Sequence, residues 1–254
     1  SANGVHCGIR KNKIKKDLSL IVSEVTASCA AVYTTNAVFG APITVTRSHL
    51  EDGKAKACIC NSGIANTCCA GGVETANEIC LAAAETLGCK AEDIVIASTG
   101  VIGQPLDPAP IKAALPALAA GLNENGSEAA AAGIMTTDTV KKEIAVEFEL
   151  GGKTCHIGGI AKGSGMIHPN MATMRVFITS DVSISPALLK KALSSDIKNT
   201  FNMISIDGDT STNDMVTVLC NGMAGNAEIT EENADYETFM TALNTVNVHL
   251  CRMI

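Results

Sequence analysis

Residues 162–174 read KGSGMIHPNMATM, and the bond between Ala172 and Thr173 is the place in the chain with the clearest chemistry. Gly163 and Gly165 let the backbone reach conformations that other residues avoid, and Pro169 fixes one torsion, so the loop can hold a peptide bond under strain. Scission before Thr173 would leave that residue with a free α-amine beside its own hydroxyl. An α-amine has an unperturbed pKa of about 8, close enough to neutrality to accept the hydroxyl proton. A threonine that carries its own base is a recognised form of activated oxygen nucleophile. The plainer readings stand beside this one. Ala-Thr is an ordinary loop-to-strand join, Thr99-Gly100 an ordinary tight turn, and Lys162 a surface lysine. Composition and spacing therefore stop at a mixed α/β protein in which an N-terminal nucleophile is an option.

The elements that must position such a site follow from hydrophobic pattern. Strands are expected at 17–24, 30–35, 43–47 and 55–60, followed by a polar loop over 61–66. Ala76, Ile79, Cys80, Ala83, Ala84 and Leu87 recur at helical spacing, and Gly88 suits the stop. A short strand over 93–97 runs into the small-residue turn 98–103, of a kind that exposes backbone N–H groups. Asp107 can cap the Ala-rich segment that follows, which Pro116 should kink or end. A second Ala-rich segment starts near Ser127. Ile144, Val146, Phe148 and Leu150 alternate ahead of Gly151-Gly152, the signature of a hairpin whose second strand leads to the cleavage loop. After it come a strand over 175–179, a helix from Ser185-Pro186, strands over 203–206 and 214–220, and a final helix with Phe239, Met240, Leu243, Val246, Leu250 and Ile254 on one stripe.

The 254 residues suffice for one large domain or two small ones packed together, and 46% are hydrophobic, enough for a sizeable core. Aromatics make up only 3%, so that core must be aliphatic, Met and Cys. A formal charge of −7 and no dense basic run speak against a nucleic-acid partner; the short cluster between Arg10 and Lys16 reads as a solvated strand-edge turn. The 11 cysteines have irregular spacing and no paired CxxC, which favours buried reduced thiols over zinc or disulfides. Asp207, Asp209 and Asp214 lack the rest of a calcium loop and read as turn caps. His168, before a proline, reads as locally hydrogen-bonded or partly buried. No metal is expected. No apolar run is long enough to span a bilayer, so no membrane association is expected and the expected location is the cytoplasm.

The stretch 162–174 closely resembles the self-cleavage signature of the ornithine acetyltransferase family, the glutamate N-acetyltransferases of the cyclic arginine pathway, some of them also N-acetylglutamate synthases. GVHCGI at 4–9, YTTN at 33–36, NSG at 61–63, STGVIG at 98–103, MTTDT at 135–139 and DGDTSTND at 207–214 resemble the family too, in its order and across the chain. The resemblance implies an α/β fold, sheets with helices packed on them, in a self-cleaving enzyme with an N-terminal threonine nucleophile. It implies autocatalytic scission between Ala172 and Thr173, dividing the chain into 1–172 and the start of a second chain, 173–254. Thr173 is then the nucleophile, Thr99 and Gly100 form the oxyanion hole, and Thr136, Lys162 and Thr173 bind substrate. The implied reaction is ping-pong transfer of acetyl from N-acetylornithine to glutamate, through an acetyl-threonine, with no cofactor. Acetyl-CoA stays open as a further donor. The resemblance also implies an α2β2 assembly of cleaved chains and, in a eukaryote, the mitochondrial matrix.

Two departures from that pattern stand out. Arg175 occupies a position where the resemblance implies an aliphatic residue, a neutral change if its side chain points to solvent. The family pattern also continues past Ile254 with a glycine-rich acidic motif and a segment that closes the pocket, so the functional expectation concerns the whole protein. The alternatives are an N-terminal-nucleophile amidase or aminopeptidase, which would pass the acyl group to water, and an inactive binding fragment.

Overall fold

A computed structural model describes residues 1–12, 14–168 and 174–254. It begins with β1 (Ala2–Val5), β2 (Leu18–Tyr33), α1 (Ala41–His49), β3 (Lys54–Ile64), α2 (Gly72–Leu87) and β4 (Ile94–Val101). After α3 (Ala109–Ala120) and α4 (Ser127–Ile134) comes the hairpin of β5 (Lys142–Leu150) and β6 (Lys153–Lys162). Then follow β7 (Arg175–Ser180), α5 (Pro186–Asp196), β8 (Met215–Cys220) and α6 (Ala234–Met253). The architecture is mixed α/β.

The strands form one sheet in the order β4-β3-β2-β8-β7-β6-β5, with β1 beside the first half of β2. The long β2 is the seam. Leu18 to Ala27 pair with β3, the register shifts between Val22 and Ala27, and Ser28 to Tyr33 pair with β8. A bulge of this kind bends a strand, and here the sheet turns back on itself. Cys58, Cys60, Val95 and Ala97 from one half share a core with Ile160, Phe177, Met215 and Leu219 from the other, closed at one side by Ala130, Ala131 and Ile134 of α4. Alternate residues face outward to the helices. Ala57, Ile59, Ile94 and Ile96 meet α2 and α3, while Val176, Ile178, Val216 and Val218 meet α5 and α6. The expected stripe of α6 is present: Phe239, Leu243, Val246 and Leu250 are fully buried, each contributing roughly 1.5–3 kcal/mol of burial.

Several elements differ from the sequence expectation. Residues 43–47, β-branched and read as a strand, lie in α1, where Pro42 sits in the first turn and Pro42, Ile43, Val45 and Thr46 are buried. The Thr46 hydroxyl donates to Ile96 O at 2.8 Å, replacing a ladder contact with a side-chain one. The strands expected at 17–24 and 30–35 are one, β2. Residues 61–64, read as a loop, continue β3 as far as Ile64, and 98–101, read as the start of a turn, continue β4 beside them to Val101. Residues 203–206 are no strand; Phe201–Met203 is a 3-10 turn and the chain then runs irregularly. Pro116 does not end α3, which Ile111, Leu115 and Leu118 hold against the core. Asp107 accepts the Ala109 N–H at 2.9 Å, as a cap should. Gly151 and Gly152, at φ 54° and 75°, make the left-handed hairpin turn that other residues resist. Among the described residues, no helix is long and apolar enough to cross a membrane.

Candidate active site

β3 and β4 run parallel and end together, with Gly63 opposite Gly100. Gly100 has φ +132°, and a Cβ there would lie 2.2 Å from the Gly63 carbonyl carbon, so only glycine fits. The preceding residues are pinned from two sides. Ser98 Oγ donates to Asn61 Oδ1 at 2.6 Å, and Asn213 Nδ2 donates to the carbonyls of Ser98 at 3.0 Å and Ala65 at 2.7 Å. Thr99 is buried while Gly100 is exposed, which places the Thr99-Gly100 peptide at the lip of a cavity.

Lys162 ends β6, buried opposite Arg175 in the β6–β7 ladder. Its ammonium donates to Thr99 Oγ1 across a long 3.5 Å contact. Burial and the charge of Arg175 pull its pKa down to about 8, against the opposing pull of Asp138 and Asp214. Asp138 organises this corner. Its Oδ1 accepts Lys142 Nζ at 2.6 Å and the Gly163 N–H at 2.8 Å, and its Oδ2 accepts the Thr136 N–H at 3.1 Å. Burial alone would push the Asp138 carboxyl up, but these hydrogen bonds outweigh it and hold the group below the usual carboxylate range. The Thr137 and Ser164 hydroxyls, 2.6 Å apart, tie the same two loops together.

The chain beyond residues 169–173 is gripped at once. The Met174 N–H donates to Asp214 Oδ1 at 2.7 Å, and Met174 O accepts Arg175 Nη1 at 2.9 Å and the Met215 N–H at 3.1 Å. Arg175 is buried, not solvent-facing. Its Nη2 donates to Ser98 O at 2.7 Å, and Asp214 lies 3.7 Å from Nη1. On the other side of the loop, Asp207 accepts the N–H groups of Met166 at 2.6 Å and Ile167 at 2.9 Å, the turn-capping role its position suggested. His168 is exposed, so the partial burial expected of it is not found.

These groups surround a cavity of about 590 Å³ that includes Arg10, Thr99, Gly100, Thr136, Lys162 and Arg175 in its wall, with Asp207 and Asp209 at one side. That is within the size range of small-molecule sites. A somewhat larger cavity, about 670 Å³ between β2 and β5–β7, contains none of the residues singled out from the sequence. The polar groups that converge belong to the smaller one. Cys60, close enough to feel both Lys162 and Arg175, has its thiol pushed up to about 12 by burial, so it offers no thiolate as a competing nucleophile. The 11 cysteines are free thiols, most of them buried or half-buried. Among the described residues, no group of three or more His, Cys, Asp or Glu could hold a metal ion.

Of the residues expected to act, Thr99, Gly100, Thr136 and Lys162 line this one cavity; Ala172 and Thr173 lie outside the described residues, as does the expected division at 172/173. The sequence reading missed Arg10, Asp138, Asn213 and Arg175. Asp138 and Asn213 stand inside motifs already singled out. Arg10, placed in a solvated turn, instead donates from Nη2 to Met135 O and reaches the cavity.

The ArgJ family model matches residues 1–254. The chain belongs to the ArgJ family. It is 49% identical over 241 residues to the arginine biosynthesis bifunctional protein ArgJ of Symbiobacterium thermophilum, covering 94% of this chain and 60% of that protein. It is 45% identical over 254 residues to the ArgJ protein of Caldanaerobacter subterraneus, covering 100% and 62%. The chain thus spans about three-fifths of the length of these curated ArgJ relatives. Among solved structures, it is similar to the ArgJ protein of Bacillus halodurans, with a TM-score of 0.63 and 43% identity over 68% of this chain and 90% of that one. The ornithine acetyltransferase of Mycobacterium tuberculosis, solved with ornithine, gives a TM-score of 0.59 and 29% identity over 68% and 91%. An aminopeptidase from Ochrobactrum anthropi, described as a variant of the Ntn hydrolase fold, shares the fold alone, at 12% identity, a TM-score of 0.53 and coverage of 99% and 83%.

Proposed function

We propose that the protein of which this ArgJ chain is part transfers the acetyl group of N-acetylornithine to glutamate by double displacement on Thr173. The observation that carries this reading is convergence. Thr99-Gly100 at the end of β4, Thr136 and Lys162 come from three separate stretches onto one cavity, and the residue after Thr173 is pinned by Asp214 beside it. Ornithine bound to the related acetyltransferase supports an amino-acid substrate.

Autocatalytic scission between Ala172 and Thr173 frees the α-amine. Thr173 Oγ attacks the acetyl carbonyl while that amine takes the hydroxyl proton. The oxyanion rests against donors of Thr99 and Gly100 at the end of β4, an arrangement worth about 3–4 kcal/mol of barrier per donor. Collapse of the intermediate returns the proton to the departing ornithine nitrogen and leaves an acetyl ester. The amine of glutamate attacks the ester and gives up a proton to the Thr173 amine; the second oxyanion, in the same hole, collapses with cleavage of the ester C–O bond, Thr173 Oγ regains that proton, and N-acetylglutamate departs. Lys162, protonated at neutral pH, suits the carboxylate that both amino acids carry. Exclusion of water keeps the ester from being lost as acetate. The ester itself carries the group, so the reading needs no metal or organic cofactor, and acetyl-CoA enters only as a further acetyl donor.

An α2β2 assembly of cleaved pairs in the cytoplasm belongs to the same proposal. Intact-mass measurement of the full-length protein and of Thr173→Ala tests it. The parent should resolve into two chains and convert N-acetylornithine plus glutamate to N-acetylglutamate, whereas Thr173→Ala stays in one piece and is inactive. Free acetate as the sole acetyl product would make the protein an amidase instead. An uncleaved, inactive parent would make it a binding protein.

A further inference from the structure

We infer that Arg175 is a positioning residue of this site, fastening the residue after Thr173 to the end of β4 that carries Thr99 and Gly100. The inference rests on the acyl-transfer reading and extends it to a residue for which the family resemblance implies no role. β7 and β4 are not neighbours in the sheet; β3, β2 and β8 lie between them in the strand order. No backbone ladder therefore fixes the distance from the start of β7 to the end of β4. Arg175 spans that gap. One terminal nitrogen donates to Met174 O at 2.9 Å and the other to Ser98 O at 2.7 Å. Asp214 completes the clamp, accepting the Met174 N–H at 2.7 Å and standing 3.7 Å from the guanidinium. Met174 is thus held by its N–H and its carbonyl. A rigid planar fork can hold two carbonyls in a fixed relation, which a flexible ammonium cannot.

Stability alone does not account for this arginine. Its side chain is 2% exposed, and its Nε has no hydrogen-bond partner among the described residues. Apolar residues of similar volume commonly serve a core as well as a buried ion pair does. What the guanidinium adds is a cross-link between the strand that follows the nucleophile and the strand end proposed to stabilise the oxyanion. The separation of those two parts sets the attack geometry, to which rate is steeply sensitive.

The test uses the full-length protein with Arg175→Met and Arg175→Lys. Transfer from N-acetylornithine to glutamate is measured together with hydrogen exchange at the Met174 amide. Arg175→Met should lower kcat roughly 10- to 100-fold with KM nearly unchanged, and should speed exchange at Met174. Arg175→Lys should recover part of both, since it can face Asp214 but cannot bridge the two carbonyls. Parental kcat in Arg175→Met, or a lowered kcat with unchanged Met174 exchange, overturns the positioning role. Should Arg175→Met fail to fold, Arg175→Lys carries both readouts by itself. A parent that does not transfer acetyl refutes the acetyltransferase reading separately, and exchange at Met174 then decides for or against the clamp.

Discussion

Replacing Lys162 by Met removes a charge that the fold holds at a disadvantage. The ammonium pKa falls from 10.5 to about 8, chiefly through burial and then through the charge of Arg175. At about 1.4 kcal/mol per pKa unit, the native environment disfavours the protonated form by about 3 kcal/mol. Met keeps the apolar stem, and Asp138 retains Lys142 as its partner. Lys162→Met should therefore be more stable than the parent at neutral pH by up to about 3 kcal/mol, roughly 6–12 °C in Tm for a chain of this size. The sign follows from proton binding. Below pH about 8 the lysine is protonated both folded and unfolded, so the whole penalty is present. From about 8 to 10.5 the folded state releases its proton while the unfolded chain keeps it, and the parent catches up with the variant as pH rises. Thermal melts of both proteins across that range, with transfer assays beside them, give the answer. Greater stability should come with a steep loss of kcat/KM, and the parental kcat/KM should decline above pH about 8 as Lys162 loses its charge. A variant that melts at or below the parent at neutral pH, or a difference that does not shrink with rising pH, would refute the reasoning.

Gly100→Ala should lose at least about 1–3 kcal/mol, because its φ of +132° and the 2.2 Å approach to Gly63 leave no room for a methyl group. Urea unfolding checks this, and transfer should be abolished with it. Asp138→Asn strips Lys142 of its buried partner and should destabilise by about 3–5 kcal/mol at neutral pH. The Asp138 carboxyl lies below the usual carboxylate range, so its contribution is present at neutral pH and lost in acid. The gap between the urea midpoints of the two proteins should narrow as pH falls through that range.

The residues that line the candidate site were more legible in the sequence than the framework that places them. Thr99, Gly100, Thr136 and Lys162 were named from the family resemblance, and one cavity includes them all. Helix α2 and the stripe on α6 followed from spacing, because one buried face per helix writes itself into the order of residues. Where tertiary contacts override local preference, the reading slipped. The β-branched run 43–47 suits a strand by propensity, yet it is helical because α1 has a core to cover and Thr46 has a carbonyl on β4 to meet. Polar residues 61–63 look like a loop, but they sit at the end of a buried strand because Ser98 and Gly133 satisfy the side chains of Asn61 and Ser62.

By itself the sequence determined which residues carry reactive groups, where the backbone can turn sharply, and which helix faces are apolar. These depend on single residues or on spacings of a few positions. Only the tertiary structure decided that Arg175 points inward, that Asp214 and Arg175 grip Met174 from its two sides, and that Arg10 reaches the cavity wall. Such pairings join residues far apart in the chain. They depend on how a bulge in β2 turns the sheet back on itself, and no local pattern encodes that distance.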